Sequence, residues 1–261
     1  MKNVRKLCFW LPICLLGVFS SCIPNKQLVY FPNSQFNKDE PTLVYNNRKT
    51  YRLQPQDVLS VKIKTLDPET ENYFNIQSSG GFQPINPAGL YINGYSIDSR
   101  GMISLPEVGD VEVGGRTIEE AETKIKDAVG AFINNTTILV KLVSFKITVL
   151  GEVRNPGYYY VYNDQANVLE ALGLAGDLTD FGNRENITLI RQTKKGNQAV
   201  LIDLKSPNLL ASSYYYLQPN DVLYVQPLRA KATRGNLSRI GIVFGVITTT
   251  LLILNFINDN N

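Results

Sequence analysis

Asp98, Glu107 and Asp110 are the residues of this chain whose type and spacing come nearest to substrate chemistry. Two carboxylates held roughly 5–10 Å apart can cleave a glycosidic bond, one as acid and the other as base or nucleophile. All three fall near turn-forming positions, and solvated turn carboxylates are the simpler reading. Little else is open. The chain has no histidine among its 261 residues, which excludes Ser-His-Asp and Cys-His catalysis and histidine-ligated metals. Its three cysteines are Cys8, Cys14 and Cys22. Neither a metal nor a cofactor is expected, and the chain reads as a non-enzyme.

Cys22 invites a different chemistry. Lys2, Arg5 and Lys6 precede an apolar stretch from Leu7 to Phe19, followed by Ser20-Ser21-Cys22. A positive segment, a short apolar segment and small residues make a secretory signal, here 1–21. The stretch is short for a membrane span. Phe19-Ser20-Ser21-Cys22 is similar to a bacterial lipobox, with Phe19 in place of Leu and Ser21 in place of Ala or Gly. The Cys22 thiol would then carry a diacylglycerol as the first mature residue. An ordinary signal cut elsewhere would leave Cys22 a plain thiol. Cleavage before Cys22 leaves 240 residues with 23 cationic and 23 acidic side chains. A neutral body offers no electrostatic footprint for nucleic acid. With Cys8 and Cys14 removed, no mature disulfide forms within the chain.

The other end carries a second membrane signal. Ile240 to Ile257 is an uncharged run of 18 residues, roughly 27 Å as a helix. It predicts a C-terminal transmembrane helix over 236–257. Gly241, Gly245, Thr248, Leu252 and Asn255 fall at helical spacing on one side, a stripe suited to helix packing or to a wet lumen. A single lipid-bathed anchor would tolerate the same residues. Arg229, Lys231, Arg234 and Arg239 precede the run, and Asn258 to Asn261 has no cation. In an inner membrane an exported body would leave this basic flank outside, against the positive-inside bias. The outer membrane of a Gram-negative cell removes the conflict.

Between the ends, 22–48 is polar and broken by Pro24, Pro32 and Pro41, which predicts an extended lipidated linker. An internal echo follows. Tyr51-Arg52-Leu53-Gln54-Pro55-Gln56-Asp57-Val58-Leu59-Ser60-Val61 recurs as Tyr215-Tyr216-Leu217-Gln218-Pro219-Asn220-Asp221-Val222-Leu223-Tyr224-Val225, identical at 8 of 11 positions. Each copy predicts a turn leading into an alternating strand. In a first module, 49–144, strands are expected at Tyr91–Ser96, Met102–Leu105, Val108–Val113 and Thr136–Val143. A helix starts at the Thr117-Ile118-Glu119-Glu120 capping box and runs to about Ile133, with Ile118, Ala121, Ile125, Ala128, Val129 and Phe132 on its apolar face. Residues 67–90 read as a long inserted loop. In a second module, 145–228, one short helix capped by Asn167 and ended by Gly176 accompanies about five strands, an α+β arrangement compatible with a β-grasp. Tyr158, Tyr159, Tyr160 and Tyr162, with Tyr214, Tyr215 and Tyr216, offer rings that could stack on sugars. Strand alternation exposes only about half of each run.

These motifs together resemble a known family. Tyr51…Leu53-x-Pro55-x-Asp57, Ile97-Asp98-x-x-Gly101-x-Ile103-x-Leu105-Pro106-x-x-Gly109 and Val113-x-Gly115-x-Thr117 are similar to the export domain of polysaccharide export outer-membrane lipoproteins, the Wza-like translocons. Val149-x-Gly151-Glu152-Val153-x-Asn155-Pro156-Gly157-x-Tyr159 and Leu169-Glu170-Ala171-Leu172-x-x-Ala175-Gly176 resemble its SLBB module, with Asp177 where a second Gly is frequent. The resemblance implies a β-rich polysaccharide-export domain, one β-grasp-like SLBB domain and the C-terminal helix. It implies a homo-oligomeric ring, with polysaccharide as cargo and an inner-membrane co-polymerase as partner. The lipid-anchored body would stand in the periplasm beneath the outer membrane. A tethered glycan-binding scaffold that forms no pore is the alternative.

Overall fold

The computed structural model describes residues 28–32, 36, 40–46, 48–67, 71, 73–75, 87–193 and 195–259. Cys22 and the signal segment lie outside the described residues, as does most of 67–90.

Two hydrophobic cores organise the chain. The first forms around a three-stranded antiparallel sheet in the order β2-β1-β5, with β1 Val58–Lys64, β2 Tyr95–Ser96 and β5 Thr137–Leu142. Along β1, Val61 and Ile63 are buried while Lys62 and Lys64 are exposed, the period of two that a one-faced sheet demands. A hairpin of β3 Met102–Leu105 and β4 Gly109–Glu112 adds Ile103, Leu105 and Val111. Helix α2, Ile118–Gly130, closes the core with Ala121, Ile125 and Val129. Its capping box is complete: the Glu120 N–H donates to the Thr117 hydroxyl at 3.2 Å and the Thr117 N–H to the Glu120 carboxylate at 3.0 Å. The helix stops at Gly130, so Phe132, expected on its apolar face, is 58% exposed. The strand expected from Tyr91 is only Tyr95–Ser96. Pro87 opens a short helix α1, Pro87–Ile92, where its fixed φ suits a first turn.

The second core fills a five-stranded mixed sheet in the order β10-β9-β12-β6-β7. The strands are β6 Lys146–Gly151, β7 Gly157–Tyr160, β9 Gly182–Thr193, β10 Gly196–Ile202 and β12 Val222–Pro227. Only β6 and β12 run parallel. Gly151 permits their close approach: its φ is +90°, and an added Cβ would meet the Val225 carbonyl oxygen at 2.1 Å. Helix α3, Val168–Leu174, buries Val168, Ala171 and Leu172 against this sheet, beside the pair of β8 Ala166–Asn167 and β11 Tyr216–Leu217. A short helix α4, Asn208–Ala211, lies between β10 and β11.

The segment before the first domain touches the second. The Phe31 N–H donates to the Leu204 carbonyl at 3.2 Å, and the Tyr30 hydroxyl donates to Asp177. Farther on, the Asn46 amide donates to the carbonyls of Leu210 and Ser212 at 2.6 and 3.1 Å. The expected linker is thus docked on the second domain where it is described.

Helix α5, Arg229–Asp259, leaves the second domain. Its base is tied by Lys231 to Glu152 and by the Leu228 N–H to the Phe181 carbonyl at 2.7 Å. The expectation that it crosses a membrane is not met: among the described residues no helix is long and apolar enough to do so. The apolar part of α5 includes the run Phe244–Leu254. Within that stretch Thr248, Thr249 and Thr250 turn their hydroxyls back to carbonyls of the preceding turn. The fold is a mixed α and β pair of domains, and the transmembrane helix first expected is not found among the described residues.

Candidate functional site at the domain junction

The two copies of the echoed motif meet where the domains join. Each is the same turn. Pro55 and Pro219 set the first corner, and Gln56 and Asn220 follow with φ of +76° and +66°, as a type II turn requires. The Asp57 N–H donates to the Gln54 carbonyl and the Asp221 N–H to the Gln218 carbonyl, both at 3.1 Å. Each carboxylate then reaches back: Asp57 accepts the Gln54 N–H at 2.8 Å, and Asp221 accepts the Gln218 N–H at 2.7 Å. The turns are stitched to the boundary between domains. The Val58 N–H donates to the Ser144 hydroxyl at 3.0 Å, the Val143 N–H to the Val58 carbonyl at 2.9 Å, and the Asn220 N–H to the Lys146 carbonyl at 2.7 Å.

A cleft of about 270 Å³ opens beside these turns, lined among others by Arg48, Tyr51, Glu119, Lys141, Asp164 and Tyr216. Lys141 of the first domain pairs with Asp164 of the second at 3.4 Å. The Arg48 guanidinium lies 5.8 Å from the centre of the Tyr216 ring, within reach of a cation–π attraction. Backbone N–H donation at the helix start, then the Thr117 hydroxyl and nearby Arg48 and Lys141, hold the Glu119 carboxyl below its usual range. Burial, reinforced by Asp57, pushes the Tyr51 hydroxyl up, so it stays a protonated donor. The cleft offers charges of both signs, amides, hydroxyls and rings. Such a set can hold a polar ligand or a second protein surface.

The other sequence candidates separate clearly. Arg100 bridges Asp98 at 2.8 Å and Asp110 at 3.2 Å. The Met102 N–H and that guanidinium keep Asp98 below the usual carboxyl range. An ionised, Arg-bridged carboxylate at an exposed turn cannot serve as a general acid at neutral pH. Glu107 stands exposed at a turn with φ of +61°. Of the first tyrosine run, Tyr158 and Tyr162 are 68% and 74% exposed, while Tyr159 packs on the second core. Tyr214 and Tyr215 also pack there, and Tyr216 lines the cleft. On α5, Gly241 and Gly245 face open space, Thr248 bonds its own helix, and Leu252 is 70% exposed. The Asn255 side chain and Cys22 lie outside the described residues. Among the described residues no cluster of acidic, His or Cys side chains is arranged to hold a metal.

Sequence reasoning missed two polar anchors. Asp57 and Asp221 are the buried acids of the chain, at 2% and 0% exposure among the described residues. Their identity in both copies of the echo was the available signal. Arg191, buried beside Asp221, had none. Asp177, which replaces the frequent second glycine, has φ of +70° and accepts the Tyr30 hydroxyl. A glycine would fit that backbone without strain but could not hold Tyr30.

Comparison with known sequences decides the family. The profile of the polysaccharide biosynthesis/export protein matches residues 46–143, and that of the SLBB domain matches 146–202. The chain belongs to the polysaccharide export family. Its domains meet between these two matches, at the junction just described. Polysaccharide export proteins are transport components rather than enzymes. The chain is 30% identical over 161 residues to the EPS I polysaccharide export outer membrane protein EpsA of Ralstonia solanacearum, covering 58% of this chain and 41% of the relative. It is 26% identical over 157 residues to the protein of the same name from Ralstonia nicotianae, covering 56% and 39%. The match thus spans about two fifths of the length of these curated relatives.

Proposed function

We propose that the protein is a subunit of an outer-membrane polysaccharide export assembly. It is anchored by lipid on Cys22 and forms a homo-oligomeric ring whose lumen gives the polymer a hydrated periplasmic path. The observation that carries this reading is the uninterrupted order of an export domain and an SLBB domain joined at a polar, aromatic junction. Helix α5 supports the ring. Ile242, Phe244, Ile247, Leu251 and Phe256 are more than two fifths exposed, and apolar surface of that extent calls for cover. Copies of the helix would cover one another, with Gly241, Gly245, Thr248, Leu252 and Asn255 on the packed or lumen side. An inner-membrane polysaccharide co-polymerase would deliver polymer to the periplasmic end.

The second reading, a tethered glycan-binding scaffold without a pore, is favoured by the lack of a membrane-crossing helix among the described residues. Two measurements separate them. Cells lacking the protein should lose surface polysaccharide almost completely under the export reading and retain part of it under the scaffold reading. The lipidated protein in mild detergent should be a discrete ring with a central cavity. A stable monomer that still carries its lipid would sink the ring.

A further inference from the structure

A second cleft of about 350 Å³ lies at the same junction, and its chemistry differs from that of the first. Gln56 and Asn220, one from each copy of the echo, line it together with Gln192, Tyr91, Tyr160 and Lys146. Its lining thus includes three amide residues and two tyrosines and no acidic residue. Gln56 and Asn220 occupy the positive-φ corners of their turns. Glycine is the unstrained residue at that corner, and a residue such as Gln has a steric cost there. Both copies nonetheless place an exposed amide at the corner, and both amides border one cleft.

We propose that this cleft binds a short stretch of saccharide, with preference for a residue carrying a carboxylate. The proposal rests on the export reading for its biological setting but not for its chemistry. An amide presents a donor and an acceptor on one rigid plane, which suits neighbouring hydroxyls of a sugar ring. Tyr91, 68% exposed on α1, and half-buried Tyr160 on the edge strand β7 supply apolar faces with polar tips. Lys146 is exposed, and no acidic side chain within 4 Å pairs with it among the described residues. It would meet the carboxylate of an acidic sugar. The volume sits at the lower end of ligand cavities, about 300–1,000 Å³, which limits the contact to a short stretch of polymer.

The test uses the full-length protein in mild detergent, titrated with cellohexaose and with hexagalacturonate by calorimetry. Both should bind, the acidic one more tightly, and Lys146→Gln should remove the difference. The double variant Gln56→Gly with Asn220→Gly should weaken both by about tenfold or more, the loss of two net hydrogen bonds. Its melting temperature should hold or rise, because glycine suits both corners. Failure of both oligosaccharides to bind, unaltered binding by the double variant, or equal affinity for the two ligands would overturn the proposal. The export reading fails separately. Cells lacking the protein that keep a normal polysaccharide coat would defeat it whatever the calorimetry shows. Cells that lose the coat while the purified protein binds neither ligand would defeat the cleft alone.

Discussion

The turns at Gln54–Asp57 and Gln218–Asp221 share sequence, backbone and buried carboxylate, yet the two carboxylates are satisfied in opposite ways. Asp57 meets only neutral donors, the Gln54 N–H and the Tyr51 hydroxyl at 2.7 Å. Asp221 faces a guanidinium: Arg191 donates to it from Nε at 2.9 Å and from a second nitrogen at 2.6 Å, and spends that second nitrogen also on the Tyr216 carbonyl at 3.1 Å. The difference follows from what surrounds each turn. In the second domain β9 is long and lies beside β12, so a residue on it can cross to the turn. In the first domain the strand after the turn is flanked by β2 and β5, and the donor comes from the residue six positions earlier. Burial pushes both carboxyls up, and Arg191 pulls Asp221 back down while Asp57 has only its two neutral donors to do so.

The largest effect should come from breaking the charged copy. Arg191→Met leaves Asp221 buried without its cation, and an unpaired buried charge costs about 3–5 kcal/mol. Urea unfolding at pH 7 should show that loss in the second domain. The loss should shrink as pH falls, because a protonated Asp221 no longer needs the cation. Adding Asp221→Leu should recover much of the stability at neutral pH. An Arg191→Met variant as stable as the parent at pH 7 would mean that the pair contributes little and that the two turns are equivalent after all.

The neutral copy should respond less and with the opposite pH trend. Asp57→Asn keeps an acceptor for both donors but buries an NH₂ group, at a cost of about 1–3 kcal/mol. Tyr51→Phe removes one donor and should cost about 1 kcal/mol. The folded carboxyl of Asp57 lies above its ordinary value of 3.8. The native state therefore holds the proton more tightly than the unfolded chain does. The contribution of Asp57 to stability is then greatest at the acid end. It declines as pH rises from the unfolded value through the folded one, and is flat above that. Unfolding of the parent and of Asp57→Asn across pH 3.5 to 7.5 checks the sign. A parent that gains on the variant as pH rises would show that Asp57 behaves like a salt-bridged acid.

Much of the scaffold was written in local patterns. The capping boxes at Thr117 and Asn167, the alternation in β1 and the prolines of the echo are short-range signals, and the structure carries each of them. The junction was not legible. Gln56 and Asn220 are 164 positions apart in the chain, and only the stacking of two domains brings them to one cleft. Arg191 reads as one polar residue of an alternating strand until β12 lies beside it. The docking of Tyr30 on Asp177 is equally non-local, though the missing glycine marked the place. The C-terminal run misled for a related reason. A count of apolar residues predicted a span, whereas among the described residues no helix is long and apolar enough to cross a membrane.

The smallest prediction tests the turns at their strained corners. Relative to Gln, glycine at a φ of +76° relieves a steric cost of about 1–2 kcal/mol. It also adds unfolded-state freedom costing about 0.5–1 kcal/mol. Gln56→Gly should therefore stabilise the first domain by about 0.5–1 kcal/mol. Asn tolerates the left-handed region better than Gln does, so Asn220→Gly should sit near zero. Thermal unfolding of the two single variants resolves this if the first domain is followed separately, for instance by hydrogen exchange of β1 against β12. A gain at Gln56 with none at Asn220 would show that the first copy of the turn tolerates a strain that glycine would relieve. Equal changes at both would mean that backbone, and not side-chain type, sets the cost of these corners.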